Sequence, residues 1–449
     1  MKNIIKNTAL VLTISLLSAL PNYSAELKDS LKQNLIKQLE TNSLIVYTEN
    51  GEIVKSREHG LVPLIDYIKD KNFKDTYVFD KTIGKAAALL YAYADADYVY
   101  AKTISLPAVK ILNEHNIRYE AQNIVEDIPN KERTGICPFE LLVRETNNPS
   151  KAYGMIHKKI YPETSVVYFT HNISPEMLVE MYKILDRDLK KKVAVKLHSG
   201  EPGGHNFLKP NFVSPLINEV QGTIVECNTA YEGRRNTTKK HKEAIKEHGF
   251  TEIAKVDIMD ARRDMALDIP EGKQIKKNYV GTHLKRYDSM LVLSHFKGHQ
   301  MGGFGGALKN LSIGVASSYG KAYIHGAGEP NNMWSCEQNK FLEAMADADK
   351  SLMNYFGDEI AFVNVMNNIS IDCDCNKNPA PPEMKDIGIL SSLDPVALDR
   401  ACVDLVYNST DEGKKSLIER IEAKNGTHIL KAAEDLNVGT QKYILIEIK

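Results

Sequence analysis

The chain has 449 residues, of which 43% are hydrophobic and 26% charged, and its formal net charge is -1. That length suits two or three domains, and the hydrophobic share is that of an ordinary globular protein. A charge so near zero, with no long basic tract, gives no reason to expect nucleic acid or an anionic surface as a partner.

Residues 1–25 read as a signal peptide. Lys2 and Lys6 make the start positive, Ala9 to Leu20 is an apolar run too short for a comfortable membrane span, and Ser24-Ala25 offers a cleavage point. The expectation is an exported protein, periplasmic or secreted, with no membrane attachment once the leader is removed. The six cysteines are scattered, which does not suit a disulfide scaffold.

Residues 26–150 predict a small three-layer α/β domain. Ser43–Tyr47 and Glu52–Lys55 flank Asn50-Gly51, a dipeptide suited to a tight hairpin. Leu61, Leu64, Ile65 and Ile68 have helical spacing. Strands at Thr76–Phe79 and Asp97–Lys102 then alternate with helices at Gly84–Ala94 and Leu106–Asn113. Asp80, Lys81 and Lys85, with Cys137 and Glu140, form a candidate pocket, the two lysines being spaced for one helix face. An ordinary charged face plus a core cysteine fits the same residues.

Three stretches of this domain, Asp80–Ala88, Ser105–Ala108 and Thr134–Glu140, resemble the domain-of-unknown-function 1893 family. The resemblance implies a fold like that of the cytidine deaminases. Zinc deamination is not expected with it. Cys137 precedes its proline and has no cysteine three residues on, and the segment has no His-x-Glu.

Thr146–Ser150 mixes turn formers, and residues 151–164 are expected to be a linker. Residues 165–449 predict a larger, mostly parallel-sheet α/β domain. Strands are expected at Ser165–Thr170, Lys192–Leu197, Thr223–Glu226, Glu252–Val256, Met290–Leu293, Ala361–Met366 and Lys442–Ile448. Ser174-Pro175-Glu176 suits a helix start, as does Ser392 or Asp394 before Pro395. In a parallel sheet, loops at the carboxyl ends of strands gather at one edge. The loops beginning at His198, Cys227 and Ser294 are therefore expected to share one crevice.

The last of these is the richest. Ser294–Asn310 packs His295, Lys297, His299, Gly302, Gly303, Gly305, Gly306 and Lys309 into one short segment. Glycine is costly to order and buries no side chain. Such a run suits backbone that approaches a ligand closely, although a tight strand-to-helix turn would also use it. His295 and His299 suit acid–base work or metal ligation. Lys297 and Lys309 suit an anion, and Glu201 suits a base or ligand. In the Cys227 loop, Arg234 is a candidate bidentate clamp beside Asn228, Thr229 and Tyr231. Cys373 and Cys375 are too close in sequence to bridge each other without strain. They suit a soft metal together with Cys336 or a histidine, or stand as plain thiols or as halves of longer-range disulfides.

The Gly-rich stretch, Gly200-Glu201, the Asn228–Tyr231 loop with Arg234 and His241, Cys373-Asp374-Cys375, and Asp394–Asp399 together resemble the domain-of-unknown-function 362 family. Many members carry an inserted ferredoxin-like module holding two iron–sulfur clusters. Here only a short piece around Trp334-Ser335-Cys336 stands in its place, so no iron–sulfur cluster is expected. Gly303–Lys309 with Gly314 is also similar to the segment of nickel-pincer lactate racemases that includes a cofactor-contacting lysine, with Gly305 where those enzymes have serine.

The expected function is that of an enzyme acting on a small anionic molecule, with or without a metal ion, by proton-transfer or isomerase-type chemistry. A non-catalytic ligand- or metal-binding protein is the alternative. An iron–sulfur redox protein is a third reading, which the missing cysteines disfavour.

Overall fold

The computed structural model describes residues 27–448, so the signal-peptide reading of residues 1–25 lies outside the described residues. Two units emerge, one ending at Pro162 and the next beginning at Glu163. Among the described residues no helix is long and apolar enough to cross a membrane.

In the first unit, β1 (Leu44–Thr48) and β2 (Ile53–Ser56) pair as the expected hairpin. Gly51 sits at φ +83°, a left-handed value that glycine reaches without a Cβ clash. β3 (Thr76–Ile83), β4 (Tyr98–Ser105) and β5 (Arg118–Val125) complete a sheet in the order β2-β1-β3-β4-β5. Pairing is antiparallel around β1 and parallel from β3 to β5. β5 has no apolar run to announce it, because it is an edge strand that leaves most of its residues exposed or half-buried.

Two expectations fail in this unit. The stretch expected as a linker over 151–164 is largely the helix Pro149–Ile160. Asn148 caps it by accepting from the Lys151 N–H, and Pro149 opens it, so the turn formers mark a helix start. Lys81 and Lys85 do not share a helix face either. β3 runs on to Ile83, which puts Lys81 on a strand and leaves Lys85 to open the helix Lys85–Tyr93.

The second unit contains β6 (Ser165–Thr170), β7 (Val193–Lys196), β8 (Thr223–Glu226) and β9 (Val256–Ile258). A separate ribbon of β10 (Asp264–Asp268) and β11 (Lys277–Gly281) follows. Next come β12 (Ser289–His295) and a small hairpin of β13 (Lys297–His299) and β14 (Gly303–Gly305). β15 (Ile360–Met366), β16 (Gly388–Ser392) and β17 (Tyr443–Glu447) complete the set. The main sheet runs β17-β6-β16-β15-β12-β7-β8-β9. Every neighbouring pair is parallel except those of β16, which is antiparallel to both β15 and β6.

Every residue of β12 and β15 is buried. A parallel strand covered by helices on both faces loses the alternation of a half-exposed strand, which is why Met290–Leu293 is a continuous apolar run. Glu252–Val256 is not the strand expected. After left-handed Gly249 the chain makes a single helical turn, Phe250–Ile253, that buries Phe250, and the strand begins only at Val256. Ser174 and Asp394 both cap helices. Asp394 accepts from the N–H groups of Val396 and Ala397.

Candidate functional site

Parallel pairing points β7, β8 and β12 the same way, so their carboxyl ends open onto one edge. A cavity of about 670 Å³ lies there. His198 and Glu201 reach it from the loop after β7, Thr229 and Tyr231 from the loop after β8, and Lys297 and Lys309 from the glycine-rich segment. That segment is the β13–β14 hairpin followed by the helix Ala307–Val315.

His295 lies at the end of β12, where both its ring nitrogens are engaged. Nδ1 faces Asp374 Oδ2 at 2.9 Å and Nε2 faces the Asn367 carbonyl at 2.6 Å. Lys297 Nζ meets the same Asp374 oxygen at 2.8 Å. Burial works against charge on Asp374, but His295 and Lys297 outweigh it and hold the carboxyl below its usual range. These three side chains thus fasten the Cys-Asp-Cys segment to the strand. His295 is left with no open nitrogen for a metal or a proton.

His299 faces the thiols. Ligand atoms of His299, Cys373 and Cys375 all lie within 4.8 Å of one another. The Gly302 N–H donates to His299 Nδ1 at 2.8 Å, so in the neutral ring Nε2 carries the proton and is a donor toward the thiols; a metal ion on Nε2 would require the other tautomer and the loss of the Gly302 bond. Lys309 Nζ is 3.6 Å from Cys373 Sγ. The Cys375 thiol, aided by Lys309 and His299, holds Cys373 well below the usual thiol range in spite of burial, while Cys375 is pushed well above it. A thiol with a lowered pKa beside a second thiol and an imidazole is a donor set for a soft or borderline metal ion. Three protein ligands would leave a further position open to a bound molecule.

Deeper in the wall stand cations that the sequence reading passed over. Lys196, the last residue of β7, donates to the Leu197 carbonyl at 2.6 Å and to Asn310 Oδ1 at 3.0 Å. Burial pushes its ammonium down to about 8; Glu226 opposes the shift and Lys321 adds to it. Lys321 itself donates to the carbonyls of Ala316 and Cys227. Arg235 is buried, with Nε on Glu201 Oε2 at 2.6 Å and its other nitrogens near His198 Nε2 and the Tyr231 hydroxyl. A lysine inside a strand buried on both sides is the one sequence signal that would have found Lys196.

The helix carrying Lys309 is anchored from far along the chain. Asp399 accepts from the Ala307 N–H at 2.7 Å and the Leu308 N–H at 3.0 Å, and from Asn364 Nδ2 at 2.8 Å. Burial pushes the Asp399 carboxyl up to about 6. A Cβ on Gly306 would stand 2.2 Å from Asp399 Oδ1, so only glycine lets the carboxylate reach the helix start.

Several sequence candidates stand elsewhere. Cys336 is not in the His299 group and does not line the cavity; its sulfur approaches the Glu337 carbonyl instead. Arg234 sits at the rim in a forked pair with Glu247, so the buried guanidinium is that of Arg235. Asn228 is a scaffold residue, linking Asp260 to Thr238, and does not line the cavity. Gly302 and Gly303 belong to the hairpin turn, where Gly303 at φ +82° packs against Gly426; Gly305 and Gly306 do line the cavity. Of the candidates in the first unit, Lys85 and Glu140 line one cavity, and Asp80 and Lys81 are not among its lining residues. Asp80 is buried under the Tyr91 hydroxyl at 2.6 Å, Lys81 donates to the Glu40 carbonyl, and Lys85 donates to the Arg144 carbonyl.

Comparison with known proteins gives matching family models for both units. Residues 193–404 match a domain of unknown function, DUF362, and residues 32–160 match a second, DUF1893. A search of curated proteins finds no match. Among solved structures, a DUF1893 family protein from Thermotoga maritima is 28% identical, with a TM-score of 0.29, over 31% of this chain and 97% of that one. The lactate racemase apoprotein from Thermoanaerobacterium thermosaccharolyticum is 15% identical, with a TM-score of 0.34, over 54% of this chain and 57% of that one. A structural-genomics target from Thermotoga maritima is 11% identical, with a TM-score of 0.31, over 56% of this chain and 59% of that one. The chain thus spans little more than half the length of each of the last two. In one polypeptide, a segment matching the DUF1893 model is followed by a segment matching the DUF362 model.

Proposed function

We propose that the second unit is an enzyme that binds a small carboxylate- or phosphate-bearing molecule in this cavity and transfers a proton on it. The observation that supports this best is the meeting of Lys196, Lys309, Lys321 and Arg235 with the His299, Cys373 and Cys375 group around one hollow. Lys309 and Arg235 suit the anionic group of the ligand. Cations inside a water-poor wall act far more strongly than they would in solution. Lys196 suits the proton transfer, because a buried lysine with its pKa at about 8 can take up and return a proton near neutral pH. His299, Cys373 and Cys375 would hold a soft or borderline cation, which would polarise an oxygen of the bound molecule.

One observation favours a second reading, a non-catalytic binding protein. His295, the histidine best placed by sequence for acid–base work, has both nitrogens engaged in fastening the scaffold. One variant measured beside the parent separates the two. Ligands are found by thermal-shift screening of small carboxylates and phosphates, and metal content is measured on the same protein. The enzyme reading expects Lys196→Met to bind the ligand near normally while turning it over at least 100-fold more slowly. Binding by the parent with no turnover of any screened ligand would leave the binding-protein reading.

Export is part of the proposal. It rests on the pattern of residues 1–25 and is tested by fractionation with N-terminal sequencing of the recovered protein. For the first unit we infer a cytidine-deaminase-like fold that performs no zinc deamination, since Cys137 lacks the partner cysteine such a site needs.

A further inference from the structure

The mouth of the cavity differs in chemistry from its wall. Trp334, the only tryptophan of the chain, is 67% exposed and yet lines the cavity beside Met333. Its ring centroid is 6.4 Å from that of Tyr231, the two planes tilted by 51°. The Tyr231 hydroxyl accepts from Arg235 at 3.1 Å, so one phenol ring separates the exposed indole from a buried guanidinium. The segment that carries Trp334 is tied to the glycine-rich hairpin, because Gln338 Nε2 donates to the Met301 carbonyl at 2.8 Å. That tie anchors the segment beside the cavity that the exposed indole lines. Among the described residues no ring stacks on the indole: Tyr231 is tilted, at the far end of the range for paired rings.

An indole that stays wet gains nothing for folding, whereas one covered by a ligand contributes through apolar burial and stacking. The cavity, at about 670 Å³, also lies within the roughly 300–1,000 Å³ typical of sites for drug-sized ligands, which a bare two- or three-carbon acid would not fill. We propose that the ligand is an anion bearing a planar aromatic or heteroaromatic ring, with its charged group against Lys309 and Arg235 and its ring on Trp334 beside Tyr231. This inference rests on the anion-binding reading above and deepens it by naming the uncharged half of the molecule.

The test uses the whole chain and two pairs of probes, phenyl phosphate against inorganic phosphate and phenylacetate against acetate. Calorimetry gives the affinities, and Trp334 supplies the only tryptophan fluorescence. In at least one pair the ring-bearing probe is expected to bind tenfold tighter or better and to change the fluorescence. Trp334→Ala should bring that probe down to the affinity of its ring-free partner without changing the partner, and Trp334→Phe should restore most of the difference. Lys309→Ala should weaken both members of the pair. Equal affinities within both pairs, or a ring preference that survives Trp334→Ala, overturn the ring inference and leave anion binding standing. If none of the four probes binds, both readings fall. A Trp334 that instead docks another protein would show either of the first two of these outcomes.

Discussion

Glu140 accepts from the N–H groups of Lys85 and Ala86 at 2.7 and 3.0 Å, and Asp399 accepts from those of Ala307 and Leu308 at 2.7 and 3.0 Å. Each unit thus starts a buried helix against a carboxylate borrowed from elsewhere in its chain, and each places a glycine before the helix. A Cβ on Gly84 would meet Glu140 Oε1 at 2.4 Å, much as one on Gly306 would meet Asp399. Beyond the shared device the two regions part. In the first unit the next ammonium, Lys85, is spent on the Arg144 carbonyl, and its cavity sets Lys85, Lys110 and Arg144 against Glu126, Asp127 and Glu140. In the second, Lys309 reaches a low-pKa thiol among further cations. A capped helix start is a packing solution. What gives it chemistry is the set of side chains that the sheet brings to its far side.

The sharpest break in that comparison lies at the thiols. Cys373→Ser and Cys375→Ser should each weaken metal uptake by on the order of 100-fold or more, more than loss of an outer partner typically costs. Cys336→Ser should leave it unchanged. Titration with zinc against a competing chelator reads all three, and an equal loss at Cys336 would show that the wrong residues have been grouped.

Smaller effects are expected at the glycines. Gly306→Ala and Gly84→Ala should each cost about 2–4 kcal/mol, through overlap with the carboxylate and loss of its hydrogen bonds. The two should differ in function. Gly306→Ala should also weaken ligand binding, because Lys309 lies three residues on, whereas Gly84→Ala should leave it intact. Urea unfolding and calorimetry on the same samples check both statements.

The next effect is one of pH. Burial holds Asp399 in the second unit and Asp80 in the first at about 6, against an ordinary 3.8. Each folded unit therefore keeps a proton that the unfolded chain has released between those values. Stability contributed by these groups is full below pH 3.8 and is lost as pH rises to about 6, by up to about 3 kcal/mol each. Asp399 faces Asn364, two backbone N–H groups and the buried Asp349, whose own carboxyl is raised further by Asp399. Asp399→Asn and Asp80→Asn should each flatten the fall in their own unit only. A slope that persists in the variant would place its origin elsewhere.

The smallest change in stability is expected at Lys196. Burying its charge is a cost, so Lys196→Met should fold within about 1 kcal/mol of the parent or better, while turnover collapses. A large loss of stability would make Lys196 a structural residue and remove it from the proton transfer.

What was legible in the sequence was carried by neighbours along the chain. Asn50-Gly51 specifies a turn, Ser174-Pro175 a helix start and Met290–Leu293 a buried strand, because dihedral preference, capping and periodicity act over a few residues. The same locality explains the gathering of three loops, since parallel strands must open at one edge. It also explains the misreadings. Asn148-Pro149 suits a linker or a helix start equally well until something covers the helix. Arg234 and Arg235 are indistinguishable as a pair until one of them meets Glu247 at the surface and the other Glu201 inside.

By itself, then, the sequence determined the buried strands β7, β12 and β15, the helix starts at Ser174-Pro175 and Asp394-Pro395, and the hairpin at Asn50-Gly51. The tertiary structure decided the partners: His299 rather than Cys336 beside the thiols, Asp374 occupying His295, and Asp399 reaching back 92 residues to the helix of Lys309. The reason is physical. Backbone preference is settled residue by residue, but which two distant side chains meet depends on strand order and register, and these are fixed only when the whole sheet closes over its core.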